Sequence, residues 1–266
     1  MKKLLVFFNF IEASEKALDQ AISLAEKDNC KIIICHIING SEPEADILKK
    51  LEPFAEKVRL SGREVSIELE KGAIFEAAAK VSQKIKPDLV IAGTRGAAGF
   101  DLSIFGSAIY KFVRDVAYTS LVLHSDSKIA QGGFKSVLLP ITPHKNFIKK
   151  VRESLKVLAD EGEIIIFALK KVDSILDDEI ENNKKISEEF LNSEGIRWQY
   201  KEFEIKKNEN DFAKLTLDKM EELGTDLISI SANVSARNQH FGKMHKEDVL
   251  MNDYAMPVLC VNTDIE

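Results

Sequence analysis

Asp88-Leu89-Val90-Ile91-Ala92-Gly93-Thr94-Arg95-Gly96-Ala97-Ala98-Gly99-Phe100-Asp101-Leu102-Ser103-Ile104-Phe105-Gly106-Ser107 is the stretch on which the fold turns. Its apolar run, Leu89 to Ala92, stops at Gly93. A loop carrying Gly96 and Gly99 follows, and Gly106-Ser107 opens a segment with helical spacing. A strand that passes through a glycine loop into a helix can cradle a phosphate. Main-chain N–H groups point into such a loop, and the helix N-terminus adds partial positive charge. Glycine suits this place because a side chain would hold the anion away from the backbone.

Outward from this stretch, strands and helices alternate. Upstream of it, Lys3–Phe8 reads as a short apolar strand, and Ser14 as the cap of a helix with Ala17, Leu18, Ala21, Ile22 and Ala25 at helical spacing. Lys31–Ile38 is the second strand. Pro43 suits the first turn of a helix that Gly62 closes. Val65–Leu69 alternates like a half-exposed strand, and Ala73–Ile85 is a third helix ended by Pro87. Downstream, Gly106–Ala117 is the fourth helix and Leu121–Leu123 the fifth strand. Apolar strands alternating with helices imply a parallel sheet covered on both faces. Ligands of such sheets bind beyond the strands' carboxyl ends, where the strand order switches.

The pattern then recurs. Leu4-Leu5-Val6-Phe7-Phe8 is echoed by Val137-Leu138-Leu139-Pro140-Ile141, and Ile32-Ile33-Ile34-Cys35-His36 by Ile164-Ile165-Ile166-Phe167-Ala168. Asp88-Leu89-Val90-Ile91 matches Asp226-Leu227-Ile228-Ser229, and Tyr118–Leu123 matches Tyr254–Leu259. The matches are collinear, as in a duplication. Ser125 to Gly133, rich in polar residues, is the natural linker. The expected domains are therefore residues 1–128 and 134–266. The fold class is α/β, with two tandem doubly wound parallel five-stranded sheets forming a pseudo-dimer. An open fifth strand invites another strand, so the copies are expected to join through Leu121–Leu123 and Pro257–Leu259.

Composition narrows the function. At 266 residues, 45% of them hydrophobic, the chain can build one large or two ordinary cores. No apolar run reaches the ~18 residues of a membrane span. The basic, apolar N-terminus lacks a small-residue cleavage site and is interrupted by Asn9 and Glu12, so it reads as a buried first strand. Cys30, Cys35 and Cys260 are odd in number and lack metal spacing, which suits a reducing cytoplasm. Residues 1–130 hold 18 basic and 18 acidic residues, leaving 19 and 25 of the chain's 37 and 43 for residues 131–266. Neither half offers a clustered basic surface for nucleic acid, and an anionic ligand meets less repulsion in the first.

With these residues in view, the chain resembles the universal stress proteins, whose members carry Gly-x-x-Gly, nine residues, then Gly-Ser or Gly-Thr. Here the loop is Gly93-Thr94-Arg95-Gly96, the nine residues Ala97–Phe105, and Gly106-Ser107. Glu12-Ala13-Ser14-Glu15-Lys16-Ala17-Leu18 and Cys35-His36-Ile37 fit as well. The resemblance covers both copies, strongly in the first, and implies an adenine nucleotide alpha hydrolase-like fold that binds ATP, with or without Mg²⁺. By position, Gly93, Gly96, Gly106 and Ser107 would surround the phosphates, and Arg95 would pair with one. Ile37 would pack on the adenine. Asn9 stands where the family usually has an aspartate; it can still bond a ribose hydroxyl, without charge. Phe7 and Phe8 are bulkier than usual there and would narrow the pocket. In the second copy only Gly242 survives, Val234 crowds the loop and Thr142 holds the aspartate position, so ordinary nucleotide binding is expected to be lost there, with Lys243 left to neutralise an anion.

Other constellations have bland readings. His240 and His245, five apart, fall on different helix faces and lack a third ligand, so no metal is expected. His36 and His124 read as structural. Asp177-Asp178-Glu179 with Lys184-Lys185 reads as a solvated helix face, and Asp88 with Asp226, recurring in both copies, as structural. No base is placed to activate water, so any ATP hydrolysis is expected to be slow. Two readings stay open: a cytoplasmic stress-response protein that acts by binding adenine nucleotide, and a nucleotide-free scaffold of the same fold for a protein or apolar ligand. A homodimer of whole chains is compatible with both.

Overall fold

Most residues of the inner strands are apolar, because helices cover both faces of the sheet. In the first half the chain runs β1 (Lys3–Phe7), α1 (Glu12–Asp28), β2 (Lys31–Ile38), α2 (Glu44–Leu60), β3 (Val65–Lys71), α3 (Ile74–Ile85), β4 (Leu89–Thr94), α4 (Gly106–Asp115) and β5 (Ser120–His124). The second half follows with β6 (Phe134–Pro140), α5 (Phe147–Leu155), β7 (Leu158–Lys171), α6 (Asp178–Ser193), β8 (Arg197–Ile205), α7 (Phe212–Leu223), β9 (Leu227–Ser231), α8 (Lys246–Leu250) and β10 (Val258–Val261). This computed structural model describes residues 1–94, 106–171, 178–206, 209, 211–232 and 246–263, without the side chains of Gly106, Ser107 and Lys171.

All described strands join one sheet in the order β3-β2-β1-β4-β5-β10-β9-β6-β7-β8. Within each half every pairing is parallel, as the alternation requires. The halves meet at the one antiparallel pairing, β5 with β10, in the register Val122↔Val258, Leu121↔Leu259 and Ser120↔Cys260. The fifth-strand edges thus cover each other, as expected from the sequence. The carboxyl ends of the two halves' strands consequently point to opposite ends of the sheet. One apolar layer lies under α1, α2, α5 and α6, and the other under α3, α4, α7 and α8.

Several local expectations are corrected. Ser14 is not the cap of α1: the helix starts two residues earlier, its N-cap Ile11 makes no side-chain bond, and Ser14 Oγ donates to the Ile11 carbonyl at 2.7 Å. Pro43 precedes α2 as its N-cap, with extended ψ of 139°, rather than entering the first turn. β4 continues through Gly93 to Thr94 because Gly93 and Thr94 still pair with Leu123 and His124 of β5. α4 stops at Asp115, and Ala117 turns into the left-handed region at φ 63°.

The recurring aspartates stitch β1 to β4 and β6 to β9 at their amino ends. Asp88 accepts from the backbone N–H groups of Lys2 and Lys3 at 2.7 and 2.9 Å. Burial pushes its carboxyl pKa up, yet these bonds, with Lys156 and the N-terminal amine, hold it below the ordinary value. Asp226 accepts from Lys135 N at 2.8 Å and Ser136 Oγ at 2.7 Å. The linker is held too. Buried Gln20 of α1 accepts from Ala130 N at 2.8 Å and donates to Ala130 O at 3.0 Å. Ser23 Oγ donates to the same carbonyl at 2.9 Å and accepts from Gly132 N at 2.9 Å.

Asn262, just past β10, spans the seam by donating from Nδ2 to the carbonyls of Val113 and Tyr118 at 3.1 and 3.3 Å. Asn262→Ala leaves both acceptors buried without this donor, and the expected loss is about 2 kcal/mol. Denaturant unfolding measures it. A lower midpoint with an unchanged slope is expected if both halves unfold together.

Candidate functional site

The candidate site lies where strand order switches in the first half, between β1 and its neighbours β2 and β4. β1 pairs with β4 up to Phe7↔Ala92 and with β2 up to Phe7↔Cys35. Two residues on along each strand, Asn9, Ile37 and Thr94 come level by register. Asn9 is exposed, Ile37 half-buried and Thr94 buried. The structure thus brings Asn9, Ile37 and the end of β4 to one crevice. Gly106 and Ser107 are the first two residues of α4. Arg95 and Gly96 lie outside the described residues, as do Val234, Gly242, Lys243, His240 and His245.

Asn9 is presented by an unusual connection. Phe8 N donates to Cys35 O at 2.8 Å, extending the sheet one residue past β1. Phe10 then adopts φ 62°, a left-handed conformation costly for a bulky side chain. Aromatic packing holds it there: its ring centroid lies 5.5 Å from Phe8, 5.0 Å from His36 and 6.4 Å from Phe54. His36 Nδ1 lies 2.8 Å from Phe8 O, so that nitrogen carries the proton and donates. His36 is structural, as its sequence position suggested. Helical and strand periodicity carried no signal for the turn at Phe10.

The bulk of Phe7 and Phe8 goes into the two cores and not across the crevice. Phe7 packs edge-to-face on Phe112 of α4, with centroids 5.1 Å apart, while Phe8 packs against Phe54 of α2 in a tilted contact at 4.4 Å. The narrowing expected from these residues is thereby replaced by two anchors. One seats α4 over the sheet. The other braces the β1–α1 connection.

Gly93 has a clear steric reason to be glycine. A Cβ there would lie 2.3 Å from the carbonyl carbon and oxygen of Ala13 and 2.6 Å from Ser14 N. The first turn of α1 therefore rests directly on β4. The one-residue contact also sets how close the N-terminus of α1 comes to the crevice.

Titratable chemistry at the crevice is sparse. Cys35, one residue before His36, is buried, and burial raises its thiol pKa far above the ordinary value. It is inert rather than nucleophilic. No group of three or more His, Cys, Asp or Glu among the described residues could hold a metal ion. No described helix is long and apolar enough to cross a membrane. A cleft of about 660 Å³ lies elsewhere, beside the amino ends of β6, β9 and β10, between linker residues such as Ala130 and the Met220, Tyr254 and Met256 side. None of the predicted site residues lines it, and the strand-end geometry outweighs its size as a guide to the site.

Residues 1–124 match the sequence model of the Universal stress protein family. In fold, the whole chain is similar to a universal stress protein from Archaeoglobus fulgidus DSM 4304, with a TM-score of 0.73, 18% identity, and 98% of this chain and 96% of that one covered. It is also similar to a putative universal stress protein from Pseudomonas aeruginosa UCBPP-PA14, with a TM-score of 0.64, 14% identity, and 98% and 93% covered. No curated protein sequence matches the chain.

Gly93→Ala is expected to force α1 off β4 and cost about 3 kcal/mol or more, at the upper end of overpacking. Gly62→Ala is the control: its φ is 78° but nothing lies within 4 Å, so only about 1 kcal/mol is expected from the backbone. Thermal or denaturant melts of both variants measure the contrast.

Proposed function

We propose, from the membership of residues 1–124 in the universal stress protein family, that the first half binds an adenine nucleotide, ATP with or without Mg²⁺, and acts by binding rather than by fast turnover. One observation carries this reading. The Gly-x-x-Gly, nine-residue, Gly-Ser spacing of residues 93–107 leaves β4 and enters α4 beside the switch-point crevice that also presents Asn9 and Ile37.

The residues fit such a ligand. The start of α4 supplies main-chain N–H groups that no helical carbonyl uses. Ser107 can add its hydroxyl, Arg95 a guanidinium for a phosphate oxygen, and Gly96 and Gly106 close approach of the backbone. Gly93 serves indirectly, by seating α1 against β4. Ile37 offers an apolar face for the base and Asn9 a neutral amide for a ribose hydroxyl. Three free, buried thiols suit a reducing cytoplasm. Residues 134–266 act as a degenerate second copy that completes the pseudo-dimer.

Isothermal titration of the full chain with ATP, with and without Mg²⁺, tests the reading. One site per chain in the micromolar to low millimolar range is expected, and Gly96→Val should abolish it while the fold persists. Heat-silent titration up to millimolar ATP, with no nucleotide released from the purified protein, would leave the scaffold reading in its place.

A further inference from the structure

We propose that the cleft between the linker and the carboxyl end of α7 is a binding site for a short zwitterionic peptide, with the peptide's ammonium group at Glu221 and its carboxylate at Lys128 and Lys135. The cleft draws on both layers of the molecule. Ala130 of the linker packs with the apolar layer under α1, whereas Met220 and Met256 belong to the layer under α7. All three line one cavity of about 660 Å³ at the amino ends of β6, β9 and β10. The cavity shares no residue with the switch-point crevice of the first half, so this site does not rest on the nucleotide reading.

Charge of both signs lines this cleft. Glu221, Gly224 and Thr225 bring the last turn of α7 and its carbonyl end to it. That end carries partial negative charge, and no basic residue stands in the last turn to offset it. Glu222 is committed to Lys219 at 2.5 Å, whereas Glu221 has no cationic partner among the described residues. Desolvation raises the Tyr254 phenol pKa, and the charges of Glu221 and Asp218 raise it further, so the field on this side is negative. The linker and the first residues of β6 bring Lys128 and Lys135 to the same cleft. Both are exposed, and neither ammonium group is in an ion pair among the described residues. With Asp126, also on the linker, these elements keep one net positive charge, two lysines less one aspartate.

A ligand of one sign would meet repulsion here, an anion from Glu221 and the end of α7, a cation from the lysines. A zwitterion answers both: its ammonium group complements Glu221 and the helix carbonyls, and its carboxylate complements the lysines. Met220, Met256 and Pro257 supply an apolar lining for the body of the ligand, and thioethers adapt to side chains of varied shape. Length follows from volume. A cube of about 660 Å³ measures about 9 Å on edge, and two or three extended residues span about 7–11 Å. The linker wall is set before any ligand arrives, because Gln20 and Ser23 of α1 hold Ala130 and Gly132. Such a wall reduces the ordering cost of binding.

The test is isothermal titration of the full chain with the dipeptide Leu-Phe, with and without ATP. Saturable binding at one site, unchanged by ATP, is expected. Acetyl-Leu-Phe lacks the ammonium group and Leu-Phe-amide lacks the carboxylate. Each should bind at least about tenfold more weakly, the effect of roughly one charge-assisted bond. Glu221→Gln should weaken Leu-Phe by a similar factor and leave acetyl-Leu-Phe within about twofold, as a cycle over two coupled groups requires. Lys128→Met combined with Lys135→Met should weaken Leu-Phe and spare Leu-Phe-amide. All three positions are exposed, so melting curves matching the wild type are expected and establish that the variants fold. Unsaturable binding, equal affinity for free and blocked peptides, displacement of Leu-Phe by ATP, or folded variants that bind Leu-Phe like the wild type would overturn the site. Failure of ATP alone to bind would overturn only the nucleotide reading.

Discussion

Antiparallel pairing of β5 with β10 is the constraint on which the molecule depends. Each half alone would end in a fifth strand with unpaired N–H and C=O groups. Every described residue of both strands is buried, so neither could face water. Joining them makes ten strands one sheet and sets α4 against α8, bringing Thr94 Oγ1 within 3.7 Å of Met251 Sδ and Lys246 Nζ within 5.6 Å of the Tyr110 centroid. The one reversal of direction also separates the two carboxyl-end crevices to opposite ends of the sheet.

The repeat conserves architecture while changing chemistry at those crevices. Asp88 and Asp226 perform the same stitch at the amino ends, where nothing but pairing is at stake. At the carboxyl ends the copies part company. Gly93 lets α1 rest on β4, and its repeat position in the second half is Ser231. α1 begins three residues after Asn9 (residue 12 against 9), whereas α5 begins five after Thr142 (147 against 142).

Much of the fold was legible because burial imposes periodicity. Strands covered on both faces read as continuous apolar runs, and the helices that cover them show spacing near 3.6. The candidate site was legible only as spacing and resemblance. The loop spacing reads Gly93 as a phosphate contact, whereas the contact that requires a missing side chain is with Ala13, 80 positions earlier. Ser14 looked like a cap because its residue type favours caps, but tertiary contact between α1 and β4 drew the helix start back to Glu12. Phe10 gave no warning of its left-handed turn, since only the neighbouring rings of Phe8, His36 and Phe54 hold it there.

By itself, then, the order of apolar runs and its repetition determined two α/β halves, their parallel strands and their meeting at the fifth strands, because local periodicity and exposed edges are properties a linear chain carries. Only the tertiary structure decided which strands stay paired at the switch points, why Gly93 has no side chain, and that Phe10 is held in a left-handed turn. Those outcomes depend on distances between residues far apart in sequence, and burial turns such distances into steric exclusion or close packing.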